Sequence, residues 1–370
     1  MQNPVHVLHI TTHLGTGGVQ SFLVNYAQNI NTKKVVFDVA VQTTEPQRYD
    51  DVIESAGGMI YPVRLMTKSP IGFFLDIYKI CKQHPEIQIV HSHLNYRNFL
   101  ALFATKCANV PIRISHSHSA YEAKNKAKEL ARWIYQFLLP LFATDYWGCS
   151  EKANQWLYGT KRQNTVVIHN CIDAEKYRFN MSVRDRKRTS LNLTENDLVL
   201  VHVGTFGDAK NHMFLLRMFA KYLEKHESAN LILCGDGPNR KKIESEIQRL
   251  KIGPNVKMLG MVHNIEEILI ASDVFVLPSL YEGLPLSAVE AQASGLACVV
   301  SAAVPEEAIF MRNCCVCDQF DSDKWIDLID KVYNISMDRG AGYKLAKEAG
   351  FDILSETQRL EKLYTCREGK

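Results

Sequence analysis

Long apolar runs are missing from this sequence. No stretch reaches the roughly 18 consecutive apolar residues that would cross a bilayer, so no spanning helix is expected. The first residues lack the basic-then-apolar order of a signal peptide and lead straight into a strand pattern. A cytoplasmic protein is the expectation. Charge of one sign is also scarce: 43 Lys and Arg face 40 Asp and Glu, a net +3, which argues against a dedicated nucleic-acid binder. There are ten cysteines, but few stand at metal-ligand spacing. No histidine follows Cys314, Cys315 and Cys317 at finger spacing, and reduced thiols are expected. Solenoid-type repeats and low-complexity tracts are absent.

What is present is alternation. Short Val/Ile-rich runs at 5–12, 37–42, 60–64, 87–93, 112–118, 145–150 and 165–170 are separated by helical segments. Continuous rather than alternating apolar runs fit strands covered on both faces, as in a parallel sheet. The polar stretch 179–196 reads as a connector. A second series then begins, at 198–205, 230–235, 256–260, 273–278 and 297–301. Two such series predict an α/β protein with two Rossmann-like, doubly wound domains facing across a cleft. The expected divisions are 1–176, 177–350 and a terminal helix, 351–370, packing back on the first domain. Ligands of such sheets bind at the carboxyl ends of the strands.

Six segments there could carry chemistry. Gly15-Thr16-Gly17-Gly18 follows the first strand. It is either a tight turn or a loop that lets a ligand approach a helix start; it lacks full dinucleotide-fingerprint spacing. Histidines end several strands: His91 and His93, His116 and His118, and His169. The His-x-His pairs share a strand face, but no third ligand lies nearby in sequence, so no metal is expected. A neutral imidazole at a strand end could hydrogen-bond a sugar hydroxyl. The turn 203–211 holds Gly204, Thr205 and Lys210, and Lys210, near a helix start, is either a phosphate partner or a solvated lysine. Cys234-Gly235-Asp236-Gly237-Pro238 is a further Gly-rich turn, weak alone. In 278–290, Glu282 and Glu290 flank Gly283-Leu284-Pro285-Leu286. The free N–H groups of a helix start suit a diphosphate, and the carboxylates suit sugar hydroxyls. Asp321-Ser322-Asp323 matches a metal-binding Asp-x-Asp pattern but reads as a helix N-cap.

These segments together resemble the retaining glycosyltransferases of the two-Rossmann-domain (GT-B) class, in the large family with a Glu-x7-Glu motif, of which capsule and exopolysaccharide enzymes are common members. The resemblance covers nearly the whole chain. It rests on Gly17-Gly18-Val19-Gln20, His169-Asn170-Cys171-Ile172-Asp173, Gly235-Asp236-Gly237-Pro238, and above all 282–290 followed by Ala-Gln-Ala-Ser-Gly. It implies that Glu290 binds the donor ribose and Glu282 the transferred sugar. It places Gly283, Leu284, Pro285 and Leu286 at sugar and diphosphate, with Gly204 and Thr205 on the same wall. Lys210 would neutralise the leaving diphosphate, and Val262 would lie beside the base. Gly17 and Gly18 would sit opposite, and His118, with His116 as fallback, would be the cleft histidine. Two positions depart from the pattern: Thr205 stands where an Arg is common, and Cys171 replaces a hinge Gly.

The function this implies is transfer of a hexose or N-acetylhexosamine from a nucleotide sugar, a UDP-sugar first, to a glycan or lipid-linked saccharide. It requires no metal and no cofactor. Alternatives are a nucleotide-sugar 2-epimerase-like isomerase and a non-catalytic donor-binding subunit. Residues 123–142 carry Lys124, Lys126, Lys128 and Arg132 before Trp133, Ile134 and Phe137. They form either a basic amphipathic helix at the inner face of the membrane or an ordinary core-packing helix.

Overall fold

The computed structural model describes residues 3–15, 17–118, 126–160, 162 and 164–366. Thr16 and Lys124, and the side chains of Lys126 and Lys128, lie outside what it describes. Two compact units form, the first from Met1–Cys171 with Ile353–Lys370 and the second from Ile172–Asp352.

The first unit holds a seven-stranded parallel sheet of β1 (Val5–Thr11), β2 (Val35–Val41), β3 (Ile60–Pro62), β4 (Ile87–Ser92), β5 (Ile112–Ser117), β6 (Asp145–Gly148) and β7 (Thr165–Val167). Its order is β3-β2-β1-β4-β5-β6-β7. β2 is buried at every position, which explains its unbroken apolar run. Its one charge, Asp38, is matched: it accepts from the Met59 N–H at 2.9 Å and pairs with His6 at 2.8 Å. The helix Ile353–Thr365 closes this unit. Its Ile353, Leu360 and Tyr364 enter the core with Phe22, Phe37 and Trp147, and Glu361 accepts from the Asn31 N–H at 2.7 Å.

The second unit repeats the plan with β8 (Val199–Val203), β9 (Asn230–Cys234), β10 (Val256–Gly260), β11 (Val274–Leu277), β12 (Ala297–Ser301) and β13 (Cys314–Cys317). Its order is β10-β9-β8-β11-β12-β13. β13 was not expected from the sequence. It is an edge strand of three cysteines and a valine, which has no distinctive alternation. In both sheets the order reverses next to the first strand, between β1 and β4 and between β8 and β11. At such a reversal the flanking loops diverge and leave a crevice at the carboxyl ends.

The polar stretch read as a connector is a helix, Met181–Ser190. Asn180 caps it by accepting from the Val183 N–H at 3.1 Å. Its inward face is cationic. Arg184 reaches Asp273 at 2.6 Å, and buried Arg188 reaches Asp273 at 3.3 Å and the Ala271 carbonyl at 2.9 Å. A helix docked through arginines has no apolar stripe, so periodicity does not reveal it.

Candidate active site

The carboxyl ends of β8 and β11 bring Lys210 and Glu282 together. The chain leaves β8 through Gly204, passes a short 3-10 turn, Asp208–Lys210, and enters the helix His212–Leu223 through Asn211 in the left-handed region (φ 53°). Lys210 folds back under Gly204, where a Cβ would lie 2.9 Å from the lysine Cε. The glycine therefore clears the path of the side chain. Lys210 Nζ donates to Glu282 Oε1 at 2.6 Å, with only 17% and 10% of the two side chains exposed. The Ser279 hydroxyl donates to the same carboxylate oxygen. The Ser301 hydroxyl in turn donates to the Ser279 carbonyl at 2.6 Å, tying β11 to β12. A backbone bond from Leu280 N–H to the Ala209 carbonyl, 2.7 Å, joins the two loops directly.

The Gly-rich turn after β9 buttresses them. Gly235 adopts φ 143°, and a Cβ there would come within 2.0 Å of the Gly204 carbonyl oxygen. Phe206 N–H donates to the Asp236 carbonyl at 2.9 Å. Glycine is required here by close backbone approach.

The helix Leu286–Ala293 begins four residues beyond Glu282, with Pro285 at its N-cap and no side-chain cap. Among the described residues the N–H groups of Gly283, Leu284, Leu286 and Ser287 take no hydrogen-bond partner. They leave a partial positive charge facing outward. Glu290, one turn in, is part-exposed but shielded enough that burial pushes its carboxyl up to about 7, with Glu266 adding to the rise. The Tyr177 hydroxyl bonds Glu290 and opposes that shift. Tyr177 is itself raised well above the usual phenol range by burial first and Glu290 second. Sequence reasoning missed Tyr177, which lies 113 positions away and carries no motif. It also missed Ser279, whose proximity to Glu282 gave a usable signal. Val262 follows β10 and is partly buried against the core, and Thr205 is exposed.

The carboxyl ends of the first sheet carry the remaining candidates. Gly17 has φ 148° and precedes the helix Gly18–Asn29, whose first turn has no acidic residue. Phe22 on that helix lies edge-on to His118, ring centroids 5.6 Å apart. His118 follows β5 and remains partly exposed, although its Nδ1 is out of water. Its N–H donates to Asn95 Oδ1 at 2.7 Å. His116 is wholly buried and bonded to His91 at 2.9 Å.

Residues 183–348 match the family model for glycosyl transferases group 1, and residues 16–176 match that for glycosyltransferase family 4. EpsF of Bacillus subtilis, a putative glycosyltransferase by name, is 32% identical over 81% of this chain and 80% of its own. The chain is a GT-B glycosyltransferase. A galactosyltransferase of Escherichia coli that acts on GlcNAc-diphosphoundecaprenol is 30% identical over 78% of each chain. CapH of Staphylococcus aureus, a capsular polysaccharide glycosyltransferase, is 25% identical over 98% of this chain and 99% of its own. Among solved structures, Anabaena HepE in complex with UDP superposes with a TM-score of 0.80 at 17% identity, covering 98% of this chain and 100% of that one. In this glycosyltransferase the group 1 match spans the Lys210, Glu282 and Glu290 loops, and the family 4 match spans Gly17, Gly18 and His118.

Proposed function

We propose that this glycosyltransferase moves a hexose or N-acetylhexosamine from a nucleotide sugar, a UDP-sugar first, to a lipid-linked saccharide in surface polysaccharide synthesis. Configuration is retained, and no metal takes part in the transfer. One observation carries this: a lysine–glutamate pair held beside an uncapped helix start. In the pair as it stands, the cation and the carboxylate neutralise each other. A donor diphosphate takes Lys210 Nζ and the N–H groups of 283–287, and the sugar hydroxyls take Glu282. Negative charge grows on the leaving diphosphate as the anomeric C–O bond breaks, and Lys210 with the helix N–H groups stabilises it. The acceptor oxygen bonds the same face, and its proton passes to the departing phosphate oxygen. Glu282, engaged by Lys210 and Ser279, serves as hydroxyl acceptor and not as nucleophile. Glu290 accepts from the ribose hydroxyls; His118, whose Nε2 is bonded to His93 and whose Nδ1 is buried, is assigned no sugar hydroxyl. The relative that acts on an undecaprenol diphosphate and the UDP-bound neighbour support this donor and acceptor class.

The decisive experiment screens UDP-, GDP- and ADP-sugars for thermal stabilisation, then follows transfer by chelator-treated protein with NMR of the product anomer. Retention without metal is expected. A glycosyl adduct trapped on Glu282, or turnover only with added Mg2+, would overturn this mechanism. Release of an epimerised nucleotide sugar without acceptor would overturn transfer itself.

A lipid-linked acceptor calls for membrane contact. The helix Lys126–Leu138 carries Leu130, Trp133, Ile134 and Phe137 at 64%, 69%, 51% and 81% exposure. Their spacing puts all four on one face. A large outward apolar face with an interfacial tryptophan suits a bilayer surface. The full chain is expected to co-float with anionic liposomes, and Phe137→Glu to weaken that binding at least fivefold. Equal flotation of the two proteins would remove this face from membrane binding. Among the described residues no helix is long and apolar enough to cross a membrane.

A further inference from the structure

Five histidines converge where β1, β4 and β5 run side by side. His9 pairs in register with His91 on the neighbouring strand, and His93, His116 and His118 extend the same face. The His116 and His118 rings stack at 4.1 Å and 9°, and those of His91 and His93 at 4.3 Å. Two hydrogen-bonded chains run through them. One joins His9 Nδ1 to His93 Nε2 at 2.9 Å and His93 Nδ1 to His118 Nε2 at 2.7 Å. The other joins the Tyr364 hydroxyl to His91 Nδ1 at 2.7 Å and His91 Nε2 to His116 Nδ1 at 2.9 Å.

Hydrogen bonding alone leaves this cluster unsatisfied. A neutral imidazole offers one N–H and one lone pair. Among the described residues His9 Nε2, His116 Nε2 and His118 Nδ1 are buried and meet no partner. Buried polar groups without partners are rare in folded proteins, and a bound ion would satisfy one of these, His116 Nε2. One nitrogen each from His93, His116 and His118 lies within 4.8 Å of the other two.

We propose that His93, His116 and His118 bind a first-row divalent cation of the zinc type. A donor set of three imidazoles favours Zn2+, Co2+, Ni2+ or Cu2+ over the oxygen-seeking Mg2+ and Ca2+. Zinc–nitrogen bonds of about 2.0–2.1 Å in tetrahedral geometry set the donors about 3.3 Å apart. The 2.7 Å between His93 Nδ1 and His118 Nε2 therefore has to open by roughly half an ångström. The other rings supply the outer contacts such a site needs. His9 Nδ1 accepts from His93 Nε2, freeing His93 Nδ1 for the cation. His91 Nε2 accepts from His116 Nδ1, freeing His116 Nε2. The cation takes the remaining lone pair of each ring, and His118 presents its Nε2 once the bond to His93 opens. Partial exposure of His118 gives a route in. The sequence supplied only pairs; the sheet brings the third ligand from the adjacent strand.

The test titrates chelator-treated full chain with Co2+ and Zn2+. The expected results are visible d–d absorption saturating at one Co2+ per chain and thermal stabilisation by Zn2+ but not by Mg2+. His93→Gln and His116→Gln should each weaken Co2+ binding at least tenfold, while His226→Gln, a surface histidine, leaves it unchanged. If either buried variant fails to fold, His118→Gln at the strand end carries the same expectation. Absence of d–d absorption, equal stabilisation by Mg2+, or binding that survives these variants would overturn the site.

Discussion

At the residue scale, the proposed donor site holds two carboxylates in different electrostatic states. Glu282 is bound to a cation, whereas Glu290 is raised to about 7 by burial. An ionised Glu290 accepts two ribose hydroxyls; once protonated it loses part of that capacity. Donor affinity should therefore rise as pH climbs through 7, several-fold between about pH 6 and 8. Glu290→Gln should bind more weakly, with that dependence gone; calorimetric titration with the stabilising nucleotide sugar reads both. Lys210→Ala removes the cation that the proposed mechanism sets against the leaving diphosphate. A fall in kcat of about 10²–10³ is expected, the usual cost of one such donor, with donor affinity changed less. A uniform loss in KM with kcat intact would show that Lys210 only binds. The placing of Glu282 and Glu290 on either side of a strand-to-helix turn was legible in the sequence. Tyr177 was not, since only folding brings it to Glu290.

At the scale of elements, each strand-to-helix loop depends on its neighbour. The turn after β9 supports the turn after β8, which carries Lys210, through contacts that only a glycine permits. Gly235→Ala places a methyl against the Gly204 carbonyl in a conformation that disfavours side chains. The expected cost is about 2–4 kcal/mol of stability, with loss of the donor-dependent thermal shift. Unchanged melting would refute the packing argument. The far end of the helix Leu286–Ala293 is held by Arg339, which donates to the Ser294 carbonyl at 3.2 Å and the Ser272 carbonyl at 3.0 Å. Burial lowers its guanidinium to about 9. A cation at a helix carboxyl terminus also suits the helix dipole. The sequence located the amino-terminal end of this helix through Pro285 and Leu286. Its carboxyl-terminal anchor lies 45 positions away and left no local sign.

At the scale of the whole chain, the buried histidines set the response to acid. His9 and His118 are lowered to about 3, and His93, His116 and His202 lie well below the usual range, all through burial first. Unfolded histidine titrates near 6.5, so below that pH the unfolded chain binds more protons than the folded one. The stability these groups contribute is present above about 6.5 and drains away as pH falls toward 3. Glu290 has the opposite sign, its contribution being lost as pH rises from the usual carboxylate value through 7. Urea unfolding should show the midpoint falling steeply between about pH 6 and 4. Four of the five histidines lie in the first unit, so its near-UV signal should be lost first. A flat profile across that range would contradict neutral burial.

Two alternating series of apolar runs were enough to determine two doubly wound sheets, because parallel strands covered on both faces must be continuously apolar. Glycines and prolines at 15–18, 204, 235–238 and 283–285 marked the loops at the carboxyl ends, because turns and close approaches demand those residues. Pairing and charge state were decided only in three dimensions. The Lys210–Glu282 bond, the Tyr177 partner of Glu290, the arginine-anchored helix Met181–Ser190 and the five-histidine cluster each join residues with no sequence relation. Burial, which moves the pKa of Glu290 and of the histidines, depends on everything packed around a group, and no local pattern encodes it.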